Sequence, residues 1–244
     1  MVQSLRFKVA KWSAWSSCMP SVEEWVGWSE GSPLSDPFEG PTSEDMYKGP
    51  SVSFLPLTFR KKLSPVSKVL LYLCNRSCEN YPDEKMEIVF ASRYGEANST
   101  VELLESLAKN EPSSPMAFSR SVHNFSIGLN SIATQNCSAN TAIAAMEDTF
   151  YAGLSESLVK LYSAEADRIL YVFAEDINNP VFSNFYEIPC PFGVAFVLEK
   201  TLEGSFLPDF NRILASRGEK HDVEIPDSLL FLQNVITSGK KVDA

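Results

Sequence analysis

Histidine is nearly missing from this chain: its 244 residues contain two, His123 and His221, far apart in sequence. His123, in the segment RSVHNF, has no companion histidine near it in sequence; in a loop near a cleft it could bond the backbone or face a substrate, and the structural role is preferred. Positive charge is also short. Lys and Arg number 21 against 31 Asp and Glu, a formal net charge of -10 with no basic run, which excludes a nucleic-acid ligand. Long hydrophobic runs are absent. No segment approaches the ~18 uninterrupted apolar residues of a membrane helix, and the opening MVQSLRFKVAKW lacks the charged-then-apolar layout of a signal peptide. The expectation is a cytoplasmic protein with no membrane insertion.

Five cysteines, an odd number at irregular spacing, do not make a disulfide framework and suit a reducing compartment, where most would be core thiols. Cys74 and Cys78 share a helical face at i, i+4 but bring no further ligands, so no metal site is expected. Glycine-rich loops are missing too. The stretch YGEAN, 94–98, has one glycine and is no phosphate cradle, so neither a nucleotide nor any other cofactor is expected.

What the chain does have is the make-up of an ordinary globular protein, with 44% hydrophobic and 21% charged residues and enough length to bury a substantial core. Residues 5–15 alternate apolar and polar and read as a first strand. Ser21 is a candidate N-cap for a short helix through Trp28, with Glu23 and Glu24 in its first turn, closed by Gly31. Seven prolines and glycines between Ser32 and Pro56 deny helix and central strand; a long surface loop is expected there, ordered by Phe38, Tyr47 and Phe54.

A helix over 65–79 buries Val66, Val69, Leu70, Leu73 and Cys74, with Pro65 in its first turn. MEIVFASRYGE, 86–96, is a buried strand running into a turn at Tyr94-Gly95. Residues 98–111 form an amphipathic helix with Val101, Leu104, Leu107 and Ala108 on one face, capped by Asn98 or Ser99 and ended by Pro112 and Pro115. A loop and a second helical stretch fill 115–136. Buried strands follow at 167–176 and 191–200, then a candidate helix at 207–218 and a polar C-terminus. Strands alternating with helices, without an internal repeat, predict a layered α/β/α fold.

The stretch that organises the rest is 137–161, CSANTAIAAMEDTFYAGLSESLVKL. It reads as a short strand, a sharp turn bearing Glu147 and Asp148, and a helix whose small Ala152, Gly153 and Ser155 permit close packing. Such a turn presents its residue at the mouth of a cleft, in front of a helix N-terminus. A nucleophile would stand there, yet no Cys or Ser lies between Thr141 and Thr149. Acids beside a helix start stabilise it by ~0.3–1 kcal/mol through its dipole, and that structural role is preferred for both.

In their order, the segments SVEEWVGWSEG, IVFASRYGE, PMAFSRSVHNFSIGLNSIATQN, TAIAAMEDTF, LYVFAED and FGVAFVLEK resemble the N-terminal half of a β-ketoacyl synthase of the thiolase fold. The resemblance covers about residues 5–200 of a single domain spanning 1–244, leaving 201–244 as a C-terminal extension, and implies a mixed sheet. The SVHN segment, the two acids and the overall length are most similar to the chain length factors of aryl polyene clusters, noncatalytic ketosynthase-like proteins that partner a full-length ketosynthase.

Under that resemblance Glu147 takes the place of the catalytic cysteine, with a one-residue margin admitting Asp148. A carboxylate cannot form and transfer an acyl thioester as a thiolate does. Neither histidine stands at a synthase position, and the half that would carry the catalytic pair is missing. The resemblance implies a pseudo-ketosynthase whose partner supplies the chemistry, in a heterodimer or a higher assembly. Asn140, Thr141, Ala142, Ile143, Ala144 and Ala145 would pair across the interface; Met116, Phe118, His123 and Phe125 would lie near the dimer axis and the acyl tunnel. An acyl carrier protein, typically acidic, would dock transiently and mainly on the partner. The alternatives are a malonyl-carrier decarboxylase that primes chains with the elbow acids and, more distantly, a hydrolase with a carboxylate nucleophile.

Overall fold

The computed structural model describes residues 7–30, 38, 48–82, 85–112, 114–163, 167–176, 181, 190–201 and 225–239. Five strands form one mixed sheet: β1 (Phe7–Ser16), β2 (Glu87–Ala91), β3 (Asn140–Ile143), β4 (Arg168–Glu175) and β5 (Phe192–Lys200), in the order β1-β5-β4-β2-β3. β3, β2 and β4 run parallel, whereas β5 is antiparallel to both β4 and β1. β4 and β5 are central and covered on both faces, which is why each reads as an unbroken apolar run.

Alternation along these strands sorts two cores. Ile169, Tyr171 and Phe173 of β4 join Val194, Phe196 and Leu198 of β5 on one face, under helices α1 (Val22–Glu30), α7 (Thr149–Ser163) and α8 (Asp227–Gly239). Leu170, Val172 and Ala174 join Ala195 and Val197 on the other, under α3 (Pro65–Cys78) and α6 (Phe125–Thr134). The remaining helices are the short α2 (Leu57–Arg60), α4 (Ala97–Ala108) and α5 (Pro115–Arg120). The expected α/β/α layering with a mixed sheet is what the chain adopts.

Local signals explain several of the helix boundaries. Ser21 and Glu24 form a capping box, the serine Oγ accepting from the Glu24 N–H at 3.3 Å while Glu24 accepts from the Ser21 N–H at 2.8 Å. Ser64 caps α3 by accepting from the Ser67 N–H at 3.1 Å, with Pro65 at the first position. Val66, Val69, Leu70, Leu73 and Cys74 are buried as the spacing predicts.

Other expectations need correction. α4 is preceded by Glu96 rather than capped by Asn98 or Ser99, and Pro115 does not end it but opens α5. Its apolar stripe is not covered: Leu104 and Leu107 are exposed, Ala108 as well, and Val101 is half-buried. Of the loop aromatics, Phe38 packs edge-on against Phe192 with centroids 5.3 Å apart, but Phe54 is exposed and Tyr47 lies outside the described residues. The candidate helix 207–218 lies outside them too. The C-terminus is not simply polar: α8 buries Leu229, Phe231, Leu232, Val235 and Ile236 against the α7 face. Interspersed Ser228, Gln233 and Asn234 masked that stripe.

Candidate functional site

The site is the strand–elbow–helix, and it stands at a sheet edge. β3 pairs through one side with β2, Asn140 to Ile143 lying opposite Ile88 to Ala91, and all four β3 residues stay half-buried. Asn140 donates to the Ser131 hydroxyl of α6, tying the strand to the layer below. After Ile143 the chain turns at Met146, whose φ of 54° is left-handed, enters one turn of 3-10 helix over Met146–Asp148 and continues as α7. A bulky residue in that region is strained, and such turns recur where a strand presents a side chain at a cleft.

Thr149 holds the elbow closed. Its buried hydroxyl accepts from the Ala145 N–H at 2.8 Å and donates to the Met146 carbonyl at 2.7 Å, while the Asp148 N–H reaches the Ala145 carbonyl at 3.0 Å. Below the turn, Gly153 lets α7 sit directly on the sheet: a Cβ there would lie 2.7 Å from both the Ala91 Cβ and the Tyr171 ring. Of the other small residues expected to pack, Ala152 is half-buried and Ser155 is exposed; Ser157, one turn after Gly153, is buried instead.

The elbow's side chains point outward. Met146 is 67% exposed, Ala144, Glu147 and Asp148 are exposed, and Ala145 is half-buried. Glu147 accepts from the Arg93 guanidinium at 2.7 Å, with Arg93 lying over the Tyr94 ring at 5.1 Å. The elbow acid is thus an ion-paired surface group. Its left-handed residue is Met146, one position before Glu147.

Behind Arg93 lies a buried carboxylate to which the sequence alone assigned no role. Glu175, the last residue of β4, accepts from the Ser92 hydroxyl at 3.1 Å and from the backbone N–H groups of Arg93 and Tyr94. Burial lifts its pKa to about 7 against the pull of those donors. Asp176 beside it is raised to about 7 for the same reason, its Oδ2 accepting from Asn98 at 3.3 Å and its buried Oδ1 without a hydrogen-bond partner. The signal was two acids closing an otherwise apolar strand, FAED.

His123 does not face the elbow acids in any hydrogen bond; its Nε2 donates to the Ser92 carbonyl at 2.8 Å. Its ring occupies the space beside Gly95, φ 52°, where a Cβ would come within 2.7 Å of the imidazole. Phe125 is half-buried against the α3 core, whereas Met116 and Phe118 on α5 are exposed, Phe118 by 65%. α4, α5, α6, β3 and α7 adjoin one another in turn, so these residues share one flank with the elbow. Among the described residues no cluster of three metal-ligating side chains occurs, and no helix is long and apolar enough to cross a membrane.

The family model of the β-ketoacyl synthase N-terminal domain matches residues 25–244. This chain belongs to that family. The match runs through the tail that motif resemblance had left beyond residue 200. No curated protein matches. Among solved structures, one chain of a ketosynthase (ApeO) in complex with its chain length factor (ApeC) from Xenorhabdus doucetiae superposes with a TM-score of 0.76 at 24% identity, covering 94% of this chain and 91% of that one. The ishigamide ketosynthase/chain length factor gives 0.62 at 14% identity, covering 82% and 63%. A β-ketoacyl synthase from Burkholderia phymatum STM815 gives 0.53 at 11%, covering 88% and 61%. The chain spans under two thirds of the latter two. The shared fold is the thiolase-like ketosynthase fold, so the synthase-like architecture expected from sequence is present.

Proposed function

We propose that this chain is a noncatalytic chain length factor that heterodimerises with an active β-ketoacyl synthase and shapes its acyl tunnel, in the building of an aryl polyene or similar polyketide-like chain. The observation that carries the proposal is the elbow: the synthase-type turn is intact, clamped by Thr149 and left-handed at Met146, yet it presents Met146, Glu147 and Asp148 and no thiol. A thioether cannot form the transferable acyl thioester that condensation requires. Under this reading we take the left-handed Met146, with Glu147 next to it, as standing in the nucleophile's place.

Support for a partner comes from the flank. Among the described residues β3 pairs on one side only, in a strand with no charged residue to discourage pairing. On the elements next to it, Ile132 of α6 and Met146 of the elbow are each more than half exposed, as is Phe118 on α5, which adjoins α6. Apolar side chains gathered beside an open strand edge mark an interaction surface. Phe118 and Met116 are the side chains we assign to the tunnel end, while Phe125 serves the chain's own core. With a net charge of -10, the subunit repels an acidic carrier protein at low salt, so carrier docking falls mainly on the partner.

The test is reconstitution with a candidate ketosynthase. Condensation by the complex should survive Met146→Ala and Glu147→Ala and vanish when the partner's nucleophilic cysteine is replaced. Carbon dioxide release from malonyl-carrier by this chain alone, lost in Glu147→Ala, would instead establish the priming decarboxylase.

A further inference from the structure

The sheet edge opposite β3 carries a second feature. The Sγ atoms of Cys18 and Cys190 lie 3.8 Å apart, although 172 residues separate them in sequence. The β1–β5 ladder explains why they meet. Its last rung pairs Ser16 with Phe192, so residues 18 and 190 fall opposite one another two positions further along the same antiparallel register. Neither cysteine belongs to the elbow or to its flank.

We propose that Cys18 and Cys190 are a disulfide-forming pair, closed by a low-molecular-weight disulfide of the glutathione class. The sulfurs must approach from 3.8 Å to about 2.05 Å, roughly 0.9 Å of travel each, which side-chain rotation supplies. Access is asymmetric: Cys18 is half-buried and Cys190 is 4% exposed. Cys18 is therefore the attacking group. Its thiolate displaces one glutathione thiolate from the oxidised dimer and forms a mixed disulfide. Cys190, as thiolate, then attacks the Cys18 sulfur and releases the second glutathione. Two protein thiols are oxidised, one glutathione disulfide is reduced to two thiols, and the two protons pass from the cysteines to the glutathiones.

Cys18 Sγ donates to the Phe38 carbonyl at 3.3 Å and lies 3.8 Å from the Cys190 Sγ. The other cysteines serve as internal comparisons: Cys137 is exposed, whereas Cys74 is buried in α3. Oxidation would fasten the entry of α1, which begins four residues after Cys18, to the start of β5. Because β1 and β3 are opposite edges of the sheet, the bond should form in the lone chain and in a complex made through β3 alike.

The experiment is to incubate the native full-length chain with oxidised glutathione, block free thiols by alkylation, digest without reductant and identify linked peptides by mass spectrometry. The Cys18–Cys190 peptide should exceed any other internal pairing by on the order of tenfold and disappear on reduction with dithiothreitol. Cys18→Ser and Cys190→Ser should each abolish it, while Cys137 accumulates only glutathione adducts. Recovery of Cys18 and Cys190 as separately alkylated thiols from oxidised native protein, or linkage only after unfolding in urea, would overturn the proposal.

Discussion

β3 and β4 are both parallel neighbours of β2, and they could hardly be treated more differently. β4 is buried along its length from Ile169 to Glu175 and is covered by helices on both faces. β3 is half-buried at every position, has one neighbour among the described strands, and leads to an elbow whose side chains face outward. Among the described residues the chain therefore completes its core around β4 and β5 and leaves β3 half-buried. Under the proposed function, residues near β4 set folding and residues near β3 set association.

Paired substitutions sharpen the contrast most. Phe196, fully buried between Tyr171 and Phe231, should cost about 3–5 kcal/mol of stability when replaced by alanine, read as a lower urea midpoint. Phe118→Ala, at 65% exposure, should leave that midpoint within ~0.5 kcal/mol while weakening association with a ketosynthase by on the order of tenfold, as expected of an aromatic interface anchor. Large folding losses from Phe118, or none from Phe196, would break the division.

Gly153 tests how closely the elbow helix is seated. Gly153→Val would drive new atoms into Ala91 and Tyr171, with an expected loss of about 1–3 kcal/mol in urea unfolding.

Between those regions sit the two buried acids. Burial raises Glu175 from 4.5 and Asp176 from 3.8, each to about 7. Between those ordinary values and about 7 the folded chain keeps protons that the unfolded chain has released. These groups' contribution to stability is present below the unfolded pKa and is lost as pH rises through the folded one. Urea midpoints should fall from about pH 5 to about pH 8, and Asp176→Asn should flatten that slope and raise the midpoint at the alkaline end. A slope unchanged by the substitution would contradict the assignment.

The smallest effect belongs to Glu147. Its ion pair with Arg93 is 70% exposed on the acid side, so Glu147→Ala should change stability by no more than ~1 kcal/mol at low salt and less at high salt.

How far these features were legible in the sequence follows from what each depends on. The apolar runs of β4 and β5 and the stripe of α3 announce themselves because burial on both faces, or along one helical face, dictates residue type directly. Ser21 and Pro65 mark helix starts by local chemistry alone. The stripe of α4 was equally visible, but periodicity reports that a face is apolar and not what covers it; Leu104 and Leu107 read as core and are surface. The elbow's existence was legible from MED before a small-residue helix. Its left-handed residue was not, because Met146 gives no glycine-like signal for a φ of 54°. Arg93, Glu175 and Ser92 come together from separate strand ends, and only the sheet register joins them.

The most direct measurement is co-expression of this chain with a ketosynthase, with the mass of the assembly determined by light scattering after size-exclusion chromatography and condensation assayed on the same fractions. A one-to-one complex, or a multiple of it, is expected, with activity that depends on the partner's cysteine and tolerates Met146→Ala. A stable lone monomer indifferent to any synthase, or condensation that requires this chain's own elbow residues, would contradict the assignment of this chain as the noncatalytic partner.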